Sequence, residues 1–391
     1  MTGWPRSVLI FCPEAHGGLA EHVHYQAREL AGRAIDVTLL CRPDFVKPAA
    51  GEPYRQDRSL AAGPEGPGIM ARLGRAAADV RNRLALAVRI GRTRPDFVLL
   101  SANAEYRAAL WSAPHIALHR AGQIYLANFH DHRYPAELPA GRMANLRLGY
   151  AMIDGGLEYA SRDGEPYLPE RMIVRSAPFG SFDDLGDCDA GGAREFRASI
   201  GAADAETLAL AFGHIRDSKR LDVAVQALAH MPGAHLLIAG GLANASQRPA
   251  SHYRDIAQAL GVAERLHIID RFIEEAEIAK MFRAADICLL PYGADFRSAS
   301  GVLHIAAHYG LPVVASGGEG PLVEAIGTFG IGSIVPPGDP AALAEAIQHT
   351  AQRSRAEFAP SFARFRETLS WQRNIDLLLE VAREVKARRG I

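Results

Sequence analysis

Leu208-Ala209-Leu210-Ala211-Phe212-Gly213-His214-Ile215-Arg216-Asp217-Ser218-Lys219-Arg220 is an apolar run, a glycine and a cationic loop; a helical pattern over 221–231 follows, then His235-Leu236-Leu237-Ile238-Ala239-Gly240-Gly241. A strand-length apolar run ended by glycine, a helical period and a second apolar run read as one β-α-β unit. The alternation continues through strand-like stretches at 266–269, 287–290 and 312–315, each separated from the next by a helical pattern. That order predicts a doubly wound parallel sheet. The first half repeats it less regularly, with strands expected at 8–11, 36–41, 97–101 and 123–129 and a helix over 20–32; Arg94-Pro95-Asp96 punctuates the entry to the third of these strands.

The expected class is therefore α/β, with two Rossmann-like doubly wound domains spanning 1–185 and 200–369. Residues 177–201, with Gly180, Asp183, Asp184, Gly186, Asp187, Gly191 and Gly192, have the composition of a linker. Residues 47–68 read as an irregular loop, and 366–386 as a terminal helix introduced by Ser370-Trp371. No internal repeat marks a solenoid. A chain of 391 residues exceeds one ordinary core, which agrees with two domains. Its 48% hydrophobic content excludes a wholly disordered chain, and a net charge of -1 gives no reason to expect a nucleic-acid partner.

Cys12, Cys41, Cys188 and Cys288 form no C-x-x-C pair, so neither a zinc cage nor a disulfide framework is expected, and a reducing cytoplasm fits. The apolar run 7–12 is strand-length and lacks the features of a signal peptide, so the mature protein is expected to start at its first strand. No run of about 18 apolar residues is present, and any membrane contact is expected to be peripheral.

Ligands of open parallel sheets collect beyond the carboxyl ends of the strands, at loops and helix N-termini that present backbone N–H groups. After the first strand, His16-Gly17-Gly18 leads into a helix, and the glycine pair allows a close backbone approach to a phosphate or sugar, or makes a simple strand-to-helix turn. After the strand ending at Phe129 stand His130-Asp131-His132-Arg133, of which His130 is the chosen site residue. Gly213 with Arg216, Lys219 and Arg220 at a helix start suits a diphosphate; solvated surface cations are the alternative. Ser298-Ala299-Ser300-Gly301 before a helical run at Val302 would present N–H groups to a second anion, and two anion-ready loops favour a nucleoside diphosphate.

At these residues the sequence resembles the GT-B glycosyltransferases, particularly retaining family four, the glycosyl transferases group 1. The resemblance is carried by Phe212-Gly213-His214-Ile215 with Lys219, Leu236 to Gly241, Ala285-Asp286-Ile287 with Pro291, and Gly310-Leu311-Pro312-Val313-Val314-Ala315. It continues through Glu324 and Val335-Pro336-Pro337-Gly338-Asp339, with weaker support from Gly17-Gly18, Arg94-Pro95-Asp96 and His130-Asp131. It implies two domains facing a central cleft, nucleotide-sugar donor held by the second and acceptor by the first, with helix 370–388 packing back on the first. It further implies that Lys219 neutralises donor diphosphate, that Gly17 and Gly18 approach it, and that His130 lies beside the transferred sugar. Backbone N–H groups at Ser300, Gly301 and Val302 would receive phosphate oxygens, and the region of Gly240, Gly241, Phe272 and Ile273 would flank the base. The family's paired glutamates, eight positions apart, fall on Arg297 and Ile305 here, or on Ser298 and Ala306 in the adjacent register, so this donor loop is a Ser-Gly variant without them.

The expected activity is transfer of a sugar from a nucleoside-diphosphate sugar to a saccharide or lipid-linked saccharide, in polysaccharide or glycolipid synthesis. Charge on the departing diphosphate would be met by Lys219, Arg216 and oriented N–H groups, with no metal or other cofactor. Asp187-Cys188-Asp189 has metal-binding spacing but lies in the expected linker. Inverting transfer requires a base, for which Asp131, His16 and His22 are candidates; retaining transfer does not. Arg72, Arg75, Arg81, Arg83, Arg89, Arg92 and Arg94, opposed by Asp79 and interleaved with Leu73, Leu84, Leu86, Val88 and Ile90, read either as a solvated face or as a contact with anionic lipid at the inner membrane face. A nucleotide-sugar epimerase and an inactive nucleotide-sugar-binding protein are the alternatives, with a dinucleotide oxidoreductase behind them because no G-x-G-x-x-G follows either first strand.

Overall fold

Strands β1 (Ser7–Phe11), β4 (Phe97–Leu100) and β5 (Ile124–Phe129) are buried almost without interruption. Continuous apolar runs of this kind belong to parallel strands covered on both faces. Burying a Leu, Ile or Phe side chain contributes about 1.5–3 kcal/mol, which offsets a backbone ordering cost of about 1–2 kcal/mol per residue. A computed structural model describes residues 3–64, 66, 68–101, 105–130, 138–159, 171–182, 185–202, 207–244 and 246–391. The chain divides into two units, Met1–Pro178 with Trp371–Ile391, and Phe179–Ser370.

The first unit adds β2 (Asp36–Leu40), β3 (Arg55–Asp57), β6 (Gly155–Glu158) and β7 (Ile173–Ser176) in the parallel order β3-β2-β1-β4-β5-β6-β7. Val8 pairs with Phe97 and Phe11 with Leu100, so the carboxyl ends of β1 and β4 come out side by side. The second unit holds β8 (Leu208–Phe212), β9 (His235–Ala239), β10 (Leu266–Ile269), β11 (Ile287–Pro291), β12 (Val313–Ser316) and β13 (Gly332–Ile334). Their order is β10-β9-β8-β11-β12-β13, all parallel. Separate apolar clusters cover the two faces of this sheet, one including Phe282, Leu303 and Phe362, the other Val225, Tyr253 and Ile347.

Several expectations are corrected. The loop expected at 47–68 contains the edge strand β3, and β6, β7 and β13 add to the strands anticipated. The expected linker contains the helix Ala190–Ser199, because Asp189 caps it by accepting from the Gly192 N–H at 2.8 Å. The single terminal helix is two, Arg355–Thr368 and Trp371–Arg389, broken at Leu369-Ser370. The second of these belongs to the first unit, where it buries Trp371, Ile375, Leu378, Ala382 and Val385 along one face.

Candidate functional site

Gly213 leaves β8 with φ at 86°, a left-handed backbone that favours glycine. A Cβ there would stand 3.0 Å from Lys219 Nζ and 3.7 Å from Val302 Cγ2. The cationic loop and the first turn of the helix Gly301–His308 therefore converge on one point. Lys219 donates to the Phe212 carbonyl, and its ammonium is enclosed although the residue as a whole keeps some exposure. Burial, then the nearby Arg216 cation, push its pKa down to about 7, against a smaller opposing effect of Cys288. An anion against that ammonium would raise it again. Arg216 itself is exposed.

Gly240 carries φ of 145°, and a Cβ on it would meet the Gly213 carbonyl carbon at 2.6 Å. Backbone thus lies directly on backbone, and Gly213 N–H donates to Ala239 O at 2.8 Å while Ile215 N–H donates to Gly241 O at 2.9 Å. On its other side Gly241 approaches Arg271 and Phe272, with the Phe272 nitrogen 3.4 Å from where its Cβ would be. Phe272 is 52% exposed, whereas Ile273 is 6% exposed and packs its side chain in the core. Ser300 is buried, its Oγ 3.2 Å from Tyr292 OH, and it does not cap the helix with its side chain; the N–H groups of Gly301 and Val302 remain as possible anion donors.

Tyr292 and Phe296, stacked at 3.8 Å, and the glycines beyond β12 were not anticipated from the sequence. Gly318 N–H donates to Phe296 O at 2.9 Å, and a Cβ on Gly320 would lie 2.7 Å from Arg297 O, so this loop braces the segment leading into Gly301. Their place immediately beyond β11 and β12 was the available signal. Of the positions where the family carries glutamates, Arg297 and Ser298 precede the helix, Ile305 packs against the core and Ala306 is fully buried. Neither register supplies a carboxylate. Asp187 pairs with Arg283 at 2.8 Å and Asp189 is the helix cap, so both aspartates of the metal-like spacing have structural partners.

In the first unit Gly17, with φ of 83°, precedes the helix Gly18–Gly32 and accepts from the Glu21 N–H at 3.1 Å. His16 is exposed, 3.9 Å from an Asp44 carboxylate oxygen. His130 leaves β5 stacked on Tyr159 at 4.8 Å and perpendicular to His22 at 4.6 Å. His22 is fully buried with Nε2 3.0 Å from Tyr159 OH, which removes it from direct contact with a substrate. Tyr159 OH also accepts from Asn374 Nδ2 at 2.9 Å and Gln26 Nε2 at 3.4 Å, and Gln26 and Asn128 exchange amide hydrogen bonds. His130 thus rests on a buried polar network that the sequence did not reveal. Asp131 lies outside the described residues. Among the described residues no group of three His, Cys, Asp or Glu side chains is placed to hold a metal ion.

Residues 206–353 match the family described as Glycosyl transferases group 1. Over 184 residues the chain is 30% identical to a D-inositol 3-phosphate glycosyltransferase of Mycobacteroides abscessus, covering 47% of this chain and 40% of that protein. The aligned part thus spans less than half of the curated relative's length. Among solved structures, sucrose-phosphate synthase from Thermosynechococcus elongatus superposes with a TM-score of 0.71 at 18% identity, over 98% of this chain and 100% of that one. HepE of Anabaena in complex with UDP superposes with a TM-score of 0.69 at 15% identity, over 98% and 99% of the two chains. At these identities the likeness concerns the fold, two doubly wound parallel-sheet units, and that fold is GT-B.

Proposed function

We infer that this chain, a GT-B protein whose second unit carries the glycosyl transferases group 1 region, transfers a sugar from a nucleoside-diphosphate sugar to a saccharide or lipid-linked saccharide acceptor. The observation that carries this reading is the enclosed Lys219 ammonium, set against Gly213 and Val302 at the start of the helix Gly301–His308. As the bond from the sugar's anomeric carbon to diphosphate breaks, negative charge grows on the leaving oxygen. Lys219 and the first N–H groups of the helix meet that charge in a site already organised for it. A bond from the anomeric carbon to the acceptor oxygen forms, and that oxygen's proton passes to a protein base in inverting transfer or to the departing diphosphate oxygen in retaining transfer.

Because protein groups supply this compensation, the proposed reaction uses no metal or other cofactor. His130, held on Tyr159, is assigned to the transferred sugar; His16 is an accessible base if transfer inverts, and retaining transfer needs none. HepE with UDP supports a uridine nucleotide as the first donor to try.

The acceptor side includes a proposed membrane contact. The helix Ile69–Thr93 exposes Ile69, Met70, Leu73, Leu84 and Val88 together with Arg72, Arg75, Arg81 and Arg92. Ala76, Ala77, Val80, Arg81, Leu84 and Leu110 line an apolar hollow of about 450 Å³ on it. Two arginines of the expected basic face do not belong to it: Arg83 is buried between the Phe11 and Trp111 rings, and Arg89 pairs with Asp57. What remains matches a helix that lies on anionic lipid, the setting proposed for a lipid-linked acceptor at the inner face of the membrane. No described helix is long and apolar enough to cross a membrane.

The test is a thermal-shift screen against UDP, GDP, ADP and TDP and their sugars, with Lys219→Ala as control. Ligand at a hundred times its dissociation constant adds about 2.7 kcal/mol to a folded state that alone binds it. A selective shift lost in Lys219→Ala supports the donor site, and no shift from folded protein overturns it. Product analysis then separates the readings: transfer requires acceptor, epimerisation proceeds without one, and binding without turnover is what the missing glutamates would mean in an inactive protein.

A further inference from the structure

The winding of each sheet reverses at one place, between β1 and β4 in the first unit and between β8 and β11 in the second. Open α/β sheets bind ligands in the crevice beyond the strand ends at such a reversal. The second unit places a cation there, Lys219, next to Gly213. The first unit places a carboxylate there. Glu14 follows β1, Ser101 follows β4, and Ser101 Oγ donates to Glu14 Oε2 at 3.1 Å, joining the two strand exits.

Cys12 holds the same residue from below, its Sγ 3.3 Å from the Glu14 carbonyl oxygen and 3.7 Å from Oε2. Burial, and next the Glu14 charge, raise the Cys12 pKa well above that of an ordinary thiol, so the sulfur keeps its proton and serves as a donor. Both side-chain contacts fall on Oε2, while Oε1 accepts from no described residue and no described cation pairs with the carboxylate. Glu14 is only partly buried. A carboxylate fixed through one oxygen, open at the other and without a countercharge is built to receive O–H donors.

We propose that Glu14 binds hydroxyl groups of a polyhydroxylated, uncharged ring of the acceptor, with Ser101 and Cys12 as its positioning residues. The proposal rests on the glycosyl-transfer reading and names the chemistry of its acceptor side. A phosphate or carboxylate of the acceptor is excluded from this point by repulsion. β5 lies next to β4, so the exit carrying His130 stands two strand spacings from that carrying Glu14, about 10 Å. A ring held by Glu14 would therefore lie at the same edge of the sheet as His130.

The experiment is saturation-transfer NMR with methyl α-glucoside, methyl α-galactoside, methyl α-mannoside and myo-inositol on wild type, Glu14→Gln, Glu14→Ala and Ser101→Ala. The nucleotide thermal shift is recorded on each protein. At least one probe is expected to bind wild type and to lose at least about tenfold in affinity in Glu14→Gln, the scale of a charged hydrogen bond, with a smaller loss in Ser101→Ala. Glu14→Gln keeps an acceptor oxygen for Ser101, so it decides the matter even if Glu14→Ala does not fold. Unchanged probe affinity in Glu14→Gln, or no probe bound by wild type, overturns the proposal. Probe binding that depends on Glu14 in protein that binds no nucleotide would uphold this site and sink the transfer reading instead.

Discussion

Lys219 and His304 are the two residues of the second unit whose charge is most affected by enclosure. Burial and Arg216 bring Lys219 down to about 7, against an ordinary 10.5. Between those values the unfolded chain binds the proton and the folded one does not, so this group makes stability rise with pH from about 7 to 10.5. Lys219→Met should flatten that slope and stabilise the unliganded protein at pH 6, measured by urea denaturation. A bound diphosphate raises the lysine's pKa, so affinity for a nucleotide sugar should hold below pH 7 and weaken above it by up to about tenfold per pH unit. Calorimetry on Lys219→Met should show no such trend.

His304 is 2% exposed between Phe179 and Phe365, its Nδ1 has no hydrogen-bond partner, and burial lowers its pKa to about 3. The unfolded chain protonates near 6.5, so stability is lost as pH falls from there toward 3. His304→Leu should reduce the acid sensitivity, and an unchanged acid profile would remove His304 as its source. The cationic loop was legible in the sequence because charge beside glycine at a strand exit has a local signature. Tyr292 and Glu14 were not, because an isolated polar residue acquires its meaning only from the partner that the fold brings to it.

At the scale of elements, helix Gly18–Gly32, β5, the exit of β6 and helix Trp371–Arg389 are joined by His22, Gln26, Asn128, Tyr159 and Asn374. Tyr159→Phe removes the oxygen that accepts from both Asn374 and Gln26, so it should cost about 1–3 kcal/mol. A parallel loss of turnover at unchanged donor affinity is expected if His130 depends on the stack; chemical denaturation and steady-state kinetics together measure both. β8, β9, β11 and β12 were readable because burial on both faces makes each a nearly unbroken apolar run. β6 was not, since Asp154-Gly155-Gly156 has the composition of a turn. Yet a Cβ on either glycine would overlap the carbonyl of a neighbouring strand, Ile173 for Gly155 and Ala127 for Gly156. Asp154 meanwhile is buried, accepting from Tyr125 N–H at 3.0 Å and pairing with Arg389 at 3.2 Å. A turn signal and a crowding constraint select the same residues, and the sequence cannot separate them.

For the whole molecule, a net charge of -1 gives no general attraction to anionic lipid, so any recruitment must come from a local patch. Vesicles containing phosphatidylserine should sediment the wild type, and Arg72→Glu with Arg81→Glu should release it, since each surface arginine adds about 1 kcal/mol near such a membrane. Binding that survives the double reversal would remove these arginines as its source. The chain passes between its units at Pro178-Phe179 and again at Ser370-Trp371, and Asn374 Nδ2 donates to Pro178 O at 2.8 Å, tying the two crossings within the first unit. Local order was enough to determine the α/β class, the doubly wound second sheet and the cationic Gly213–Lys219 loop, because periodicity, glycine and charge act over a few neighbouring residues. Only the tertiary structure decided that Arg83 is core, that Ile273 packs beside exposed Phe272 into the core, that His130 rests on Tyr159 and that Glu14 meets Ser101. Those outcomes depend on burial and on partners distant in sequence, Ser101 standing 87 residues from Glu14 and Asn374 215 residues from Tyr159. No local pattern encodes which strands will lie side by side.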